Sequence, residues 1–395
     1  MRIGINAQLL SFSENYRNGG ISRYIRSLLT ELARHPGSHE YTIFVNGQAT
    51  AERLKELASH PQIAYIPVAW PESKPVARVA WEQFTLPSII RQRHIDVLHA
   101  SANVLPEFLP RTCAGVVTLH DLAFLRFPEV LTRSKRAYHR TFTIRSLRER
   151  ATMIIANSNS TRQDAIELAR IPATKIETVY ICIDTRFSNV VIKEEDRQAF
   201  RQKQGLTGGF LLYLGTLEPR KNLTTLLKAY AQLRNIHGRK EKLVLAGGKG
   251  WLYNTIFNGV RELGLETEVL FPGFIADAEQ LLWYTSASAF VYPSLYEGFG
   301  MPVAEALACG VPVVTSNISS LPEAGAGLAL TVDPHDVEAM SDALYTALTS
   351  ETLRQHCREQ APSVARRFSA QTMVEQTINV YERAYAATHK VALRP

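Results

Sequence analysis

Cysteine is scarce in this chain, with four in 395 residues, at Cys113, Cys182, Cys309 and Cys357. They lie far apart and include no C-x-x-C pair, which argues against a zinc site or a disulfide framework and leaves ordinary buried thiols. No apolar run approaches the ~18 residues of a membrane-crossing helix. Met1-Arg2-Ile3-Gly4-Ile5-Asn6 reads as a first strand rather than the start of a signal peptide, so a cytosolic protein is expected. Low-complexity tracts and repeats are missing too. With 46% hydrophobic and 21% charged residues, the composition is that of a globular protein. The sequence has no D-x-D pair, no H-E-x-x-H and no G-x-x-x-x-G-K-[ST]. Neither a metal-binding transferase, a zincin nor a P-loop NTPase is supported, and no metal and no cofactor are expected.

What is present comes in two halves. A chain of 395 residues exceeds the usual ceiling for one core, so two domains are expected, at 1–190 and 191–368. Charge divides the same way. Up to Val190 there are 24 Lys and Arg against 16 Asp and Glu; beyond it there are 20 against 21, so the net +7 belongs to the first half. Much of it is concentrated between Arg133 and Arg150, where Arg133, Lys135, Arg136, Arg140, Arg145, Arg148 and Arg150 face the single Glu149. Interleaved Tyr138, Phe142, Ile144 and Leu147 give the segment the pattern of a basic amphipathic helix, suited to an anionic membrane surface or simply to a solvated face.

In the first half, Ile3–Asn6, Tyr41–Val45, Ile63–Pro67, Asp96–His99, Gly115–Leu119 and Met153–Ala156 read as strands separated by helical segments. That alternation predicts a parallel, doubly wound α/β sheet. Gly19-Gly20 follows a long polar loop and opens a helix through Tyr24, Ile25, Leu28 and Leu32. This is not the tight G-x-G-x-x-G turn, which makes an NAD site unlikely; two glycines there accept a phosphate on backbone N–H groups or form a plain turn. His120 stands at the carboxyl end of a central strand, on the ligand side of such a sheet, where the alternative is a neutral residue satisfied by backbone. Asn157-Ser158-Asn159-Ser160 caps the next helix.

The second half restarts with the strand Phe210–Gly215, and Glu218-Pro219-Arg220-Lys221-Asn222 precedes a helix over Leu223–Leu233. Two cations ahead of a helix N-terminus are electrostatically odd, because that end prefers anions; they fit if a diphosphate lies there. Further strands are read at Lys242–Gly248 and Val269–Phe274. A buried strand over 287–294 runs into Glu297-Gly298-Phe299-Gly300-Met301-Pro302, ahead of a short helix over Ala304–Cys309 stopped by Gly310. Glu297 and Glu305 are thus two carboxylates with seven residues between them, the first in a strand-end loop and the second in a helix's first turn. Gly298 and Gly300 leave backbone N–H groups uncovered beside a helix N-terminus, which suits an anionic or polyhydroxyl ligand. Read singly, Glu305 complements a helix dipole and Glu297 is solvated.

The run from Glu297 through Glu305 to Val314 resembles the E-x7-E segment of retaining glycosyltransferases of the GT-B type, particularly glycosyltransferase family 4. The resemblance extends over nearly the whole chain through Gly19-Gly20, His120-Asp121 and Glu218–Asn222. It implies two Rossmann-like doubly wound domains facing a central cleft, with a last helix at 369–390 packing back on the first domain. It also implies roles for named residues. Glu297 would contact the donor sugar, with N–H groups of Gly298, Phe299, Gly300 and Met301 around its hydroxyls. Glu305 would bind the ribose, Phe274 and Ile275 would flank the nucleobase, Gly19 and Gly20 would meet the diphosphate, and His120 would reach the donor sugar. Many family members carry an Arg directly after the glycine of the Phe210–Gly215 strand; this chain has Thr216, and both diphosphate charges are assigned to Arg220 and Lys221.

The function implied is metal-independent, retaining transfer of a hexose, foremost mannose from GDP-mannose, to a saccharide or lipid diphosphate-linked acceptor in surface polysaccharide assembly. Partners would include an anionic membrane through Arg133–Arg150, and no nucleic acid. The alternatives are a UDP-glucose-type or GDP-rhamnose donor with a soluble acceptor, a phosphorylase or epimerase of similar architecture, a glycosidase using the two carboxylates, and a two-lobed solute-binding protein.

Overall fold

Strands apolar at every position dictate the architecture. Phe210–Leu214 and Ala114–Leu119 are buried throughout, as are strands of a parallel sheet covered by helices on both faces. The computed structural model describes residues 1–13, 19–68, 75–127, 139–188, 190–206 and 208–392. The chain forms two compact units, Met1–Cys182 with Ala370–Pro395, and Ile183–Ser369.

The first unit holds β1 (Arg2–Asn6), β2 (Glu40–Asn46), β3 (Ile63–Val68), β4 (Val97–Ala100), β5 (Ala114–Leu119), β6 (Met153–Ala156) and β7 (Ile176–Thr178). They pair in parallel in the order β3-β2-β1-β4-β5-β6-β7. The second unit holds β8 (Phe210–Leu214), β9 (Lys242–Ala246), β10 (Val269–Gly273), β11 (Ala289–Tyr292), β12 (Val313–Ser316) and β13 (Leu330–Val332). Its order is β10-β9-β8-β11-β12-β13, again parallel. In each sheet the order reverses once, between β1 and β4 and between β8 and β11. Loops leaving adjacent strands at such a reversal diverge to opposite faces and open a crevice at the carboxyl ends.

Helices that bear on the sites are α1 (Gly20–Arg34), α2 (Glu194–Lys203), α3 (Leu223–His237), α4 (Met301–Ala308), α5 (Glu351–Arg367) and α6 (Ala370–Ala392). In α1 the buried residues Tyr24, Ile25, Leu28, Leu29 and Leu32 recur at helical spacing and seat one face. Although last in sequence, α6 belongs to the first unit, where it packs on α1, β4, β5 and β6. Its Tyr381 hydroxyl lies 2.7 Å from His99 Nδ1, and His99 Nε2 lies 2.7 Å from Thr118 Oγ1, which in turn lies 2.9 Å from the Tyr24 hydroxyl. Burial, with the neighbouring His120, pushes the His99 imidazole down to about 3. This neutral chain ties α6, β4, β5 and α1 through the core. Among the described residues no helix is long and apolar enough to cross a membrane.

Several boundaries differ from the sequence reading, and β7, β12 and β13 were not read as strands at all. β11 stops at Tyr292 because Pro293 has no N–H for the ladder. α4 begins at Met301 rather than Ala304, since Gly300 supplies a left-handed cap (φ 101°) and Pro302 is tolerated in the first turn. Glu305 consequently falls in the second turn of α4, not the first. In the basic segment, 139–150 is helical and includes two wider i→i+5 stretches, His139–Thr143 and Ser146–Arg150; Arg133, Lys135 and Arg136 lie outside the described residues.

Close approach of the β8 and β9 ends demands glycine. At Gly247, φ is 143° and a Cβ would stand 1.9 Å from the Gly215 carbonyl oxygen. Gly247→Ala is therefore expected to destabilise the protein by about 3 kcal/mol through backbone strain and a clash that only movement of β8 relieves. Urea denaturation monitored by circular dichroism measures it; an unchanged midpoint contradicts the account.

Candidate active site

In the second unit the reversal point gathers charge. β8 leads into a tight turn, Pro219–Lys221, and Asn222 takes a left-handed conformation (φ 58°) that starts α3. β11 leads into Pro293, Ser294 and Glu297. The two loops meet. Glu297 Oε1 accepts from Lys221 Nζ and, at 2.6 Å, from Ser294 Oγ, while Arg220 Nη1 lies 3.3 Å from Oε2. Lys221 Nζ also donates to the Tyr292 hydroxyl at 2.8 Å. Arg220 is further fixed by the Tyr296 carbonyl, 2.7 Å from Nη1, and by Glu218, 2.9 Å from Nη2.

Burying an ammonium costs several kcal/mol unless it is paired and hydrogen-bonded, and Lys221 is 6% exposed. Glu297 and Tyr292 meet that requirement. Burial alone would raise the Glu297 carboxyl, but the charges of Lys221 and Arg220, with the hydrogen bonds from Lys221 and Ser294, outweigh it and hold the group at about 2. Burial lowers the Lys221 ammonium, against the pull of Glu297. A carboxylate held so low stays ionised near neutral pH and is mismatched to shuttle protons. It can accept hydrogen bonds and stabilise positive charge. In the glycosidase alternative Glu297 could serve only as the ionised carboxylate of the pair, and the other carboxyl, Glu305, is fully buried against the Tyr284 hydroxyl.

The loop carrying Glu297 is clamped from behind. Ser319 Oγ accepts from the Glu297 N–H at 3.1 Å and donates to its carbonyl at 2.7 Å, and Ser320 Oγ lies 2.9 and 2.8 Å from the Glu297 and Phe299 carbonyls. At Gly300 a Cβ would press to 2.9 Å on Leu321 Cδ2, which holds the loop close to the Leu321–Ala324 helical turn. Ser294, Ser319, Ser320, Tyr292 and Glu218 are the residues that sequence reasoning missed. Only Ser319-Ser320 carried a signal, a helix-capping pattern ahead of Leu321-Pro322.

Other expected residues lie apart from this cluster. Glu305 is fully buried, and its Oε2 accepts the Tyr284 hydroxyl at 2.9 Å, so in this conformation it anchors α4 rather than offering a surface to ribose. Phe274, directly after β10, is 45% exposed, whereas Ile275 is buried in the core. Met301 and Phe299 are buried.

In the first unit, His120 follows β5 and is 7% exposed. Its Nε2 lies 2.8 Å from the Ser101 carbonyl, which can only accept, so Nε2 carries the proton and Nδ1 is the ring's acceptor. Burial lowers the imidazole below its usual range. The Tyr24 ring meets it edge-on, with centroids 5.2 Å apart, so the start of α1, where Gly19 is the cap and Gly20 the first residue, lies over this strand end. Of the basic segment, Arg145 and Arg150 both reach Glu107, at 3.0 and 2.5 Å, and Arg148 Nε donates to the Ala169 carbonyl at 2.6 Å. Each of these three cations thus has a partner within the first unit.

Two family models match the chain: "Glycosyltransferase Family 4" over residues 18–187 and "Glycosyl transferases group 1" over residues 194–364. O-antigen chain mannosyltransferase B of Escherichia coli is 33% identical over 287 residues, covering 72% of this chain and 74% of that protein. Among solved structures, a glycosyltransferase of Rickettsia africae superposes with a TM-score of 0.73 at 16% identity, covering 97% of this chain and 98% of the other. HepE of Anabaena, in complex with UDP and glucose, gives 0.71 at 18% identity, covering 97% and 100%. At such identities these structures speak for the fold.

The depressed Glu297 carboxyl sets a pH dependence. A group whose folded pKa lies below its unfolded value contributes stability above the unfolded pKa, here 4.5, that is lost as pH falls through about 2. Wild type is expected to exceed Glu297→Gln in unfolding free energy by about 3 kcal/mol near neutral pH, with the gap closing between pH 4.5 and 2. Urea titrations of both proteins across that range test it; a gap independent of pH would contradict the ion cluster.

Proposed function

This chain belongs to glycosyltransferase family 4, within the group 1 glycosyltransferases, and we propose that it transfers a hexose from a nucleoside diphosphate sugar with retention of configuration and without a metal. The observation that carries the proposal is the cluster of Arg220, Lys221 and Glu297 at the carboxyl ends of the two strands flanking the reversal point. Arg220 and Lys221 stabilise the leaving diphosphate, a role that fixed guanidinium and ammonium groups fill by electrostatic preorganisation. Glu297 accepts hydrogen bonds from the sugar hydroxyls and faces the positive charge that develops at the anomeric carbon. Because Glu297 is too acidic to act as a base, the departing phosphate takes the acceptor's proton. The bond from the anomeric carbon to the phosphate oxygen breaks as the bond to the acceptor oxygen forms on the same face.

GDP-mannose is the proposed donor and a lipid-linked or free saccharide of a surface polysaccharide the proposed acceptor. The support is the relative named as an O-antigen chain mannosyltransferase. Ribose recognition by Glu305 belongs, in this reading, to a liganded state in which the cover over it has moved. His120, with Nδ1 as acceptor, is proposed to meet a donor-sugar hydroxyl. Contact with an anionic membrane is proposed through the basic segment Arg133–Arg150, with the aromatic pair Phe84 and Phe108, 69% and 60% exposed and with ring centroids 6.1 Å apart, as a further apolar contact.

Lys221→Ala is expected to weaken nucleoside diphosphate binding by about tenfold or more. Glu297→Gln should lower turnover by about a hundredfold or more with the donor still bound. Transfer should survive EDTA. Radiolabelled transfer assays and calorimetric titration of the nucleotide measure these; strict dependence on a divalent cation, or wild-type turnover in Glu297→Gln, contradicts the mechanism. Phe84→Ser with Phe108→Ser should lose sedimentation with anionic vesicles while keeping activity on a soluble acceptor. Sedimentation of the variant equal to that of wild type would remove the aromatic pair from the account, and a wild type that stays in the supernatant with both vesicles would remove the membrane.

A further inference from the structure

The second unit contains a cavity of about 730 Å³ at the opposite end of its sheet from Glu297. Thr285, Ala287 and Ser288, just before β11, and Val311 and Pro312, just before β12, form one wall. Glu297 and Ser319 follow those same parallel strands. At 3.3 Å per residue the two ends stand roughly 10 Å or more apart across the sheet.

Among the described residues, three arginines line this cavity, Arg197 from α2 and Arg354 and Arg358 from α5, and no carboxylate does. Arg354 and Arg358 are four residues apart and share a helix face, where like charges repel unless something anionic lies between or beside them. Two carboxylates outside the lining, Glu194 and Glu351, meet these three cations, and Glu194 is shared with Arg201 as well, so positive charge is in surplus. Among the described residues, Arg197 Nη2 meets Glu194 at 2.7 Å while its Nε is buried without an acceptor. Arg354 meets Glu351 at 2.5 Å and the Leu348 carbonyl at 3.0 Å. Arg358 lies 3.8 Å from Glu351, beyond hydrogen-bonding range. The cations could have served the carbonyl end of α4, whose last turn also borders the cavity, yet none of these acceptors is an α4 carbonyl. Apart from the hydroxyls of Thr285 and Ser288, the rest of the lining is small or apolar, with Val190, Val191, Ile192 and Pro362 prominent.

We propose that this cavity binds a phosphate monoester with an apolar body. Its phosphate sits among Arg197, Arg354 and Arg358, since guanidinium forks match phosphate oxygens in geometry and charge. Its hydrocarbon portion lies over Val191, Ile192 and Val311. Ala308, Cys309 and Gly310 at the end of α4 border the cavity, and Met301 at the other end of that helix adjoins the Glu297 loop. A Cβ at Gly310 would stand 3.2 Å from Arg358 Cα, so α5 rests directly on the end of α4. An occupant therefore touches a helix that reaches the Glu297 loop within about 12 Å.

Calorimetric titration of the full chain with octyl phosphate, inorganic phosphate and octanol tests the assignment, with GDP present at saturation to fill the nucleotide site. Octyl phosphate is expected to bind saturably. Arg354→Gln with Arg358→Gln should weaken it by about tenfold to a hundredfold. Ala361→Trp, which fills the cavity without removing a charge, should abolish binding, and both variants should keep the wild-type melting profile and nucleotide affinity. Inorganic phosphate binding as tightly as octyl phosphate overturns the apolar half of the proposal and assigns the site to free phosphate. Octanol binding as tightly as octyl phosphate, or octyl phosphate binding indifferent to all three substitutions, overturns the site.

Discussion

A buried carboxylate held between two cations organises the second unit. Glu297, Lys221 and Arg220 come from loops after two different strands, and each alone would be costly to bury. Together they neutralise one another, fix the path of both loops and leave a preorganised array of charge at the carboxyl end of the sheet. The serine clamp, the left-handed Gly300 and the left-handed Asn222 all serve to bring these loops into register. The pairing also defines the chemistry open to Glu297. With two cations beside it the carboxylate is a strong hydrogen-bond acceptor and a poor base, so proton transfer falls to other atoms.

Much of this fold was legible in the sequence because parallel strands covered on both faces are written as unbroken apolar runs. Phe210–Leu214 and Met153–Ala156 needed no context. The edge strands β7 and β13 are three residues long, with Ile176 the one fully buried residue in either, and their short, mixed sequences are indistinguishable from loop. Pro302 suits a helix's first turn, as found, but nothing in the sequence marks Gly300 as a left-handed cap, and the start of α4 was placed three residues late. At the candidate site, the identities of Glu297, Arg220 and Lys221 stood out, since two cations ahead of a helix are unfavourable without an anion. Their mutual pairing did not, because it joins residues 76 and 77 positions apart. Ser319 and Ser320 read only as a helix-capping pair, and their hold on the Glu297 loop, made to its backbone N–H and carbonyls, leaves no pattern in sequence.

For Glu305 the resemblance implies a ribose contact, while in this structure the second turn of α4 faces inward and its carboxylate accepts the Tyr284 hydroxyl. His120 shows the converse. The backbone-satisfied reading and the ligand-side reading describe the same residue, with Nε2 committed to Ser101 and Nδ1 as the acceptor. Behind it, Tyr24, Thr118, His99 and Tyr381 form a neutral hydrogen-bonded chain that anchors α6 in the first unit. In the basic segment the described Arg145, Arg148 and Arg150 pair with Glu107, Glu149 and a carbonyl, contacts between residues up to 43 positions apart that charge counting does not reveal.

The central claim is that the Arg220, Lys221 and Glu297 cluster is where a nucleotide sugar places its diphosphate and hexose. A crystal structure of the protein with bound GDP-mannose tests this most directly. The account predicts diphosphate oxygens within hydrogen-bonding distance of the Arg220 guanidinium and Lys221 Nζ, with a hexose hydroxyl on a Glu297 oxygen. A diphosphate bound elsewhere, with the Lys221–Glu297 pair closed and untouched, would contradict it.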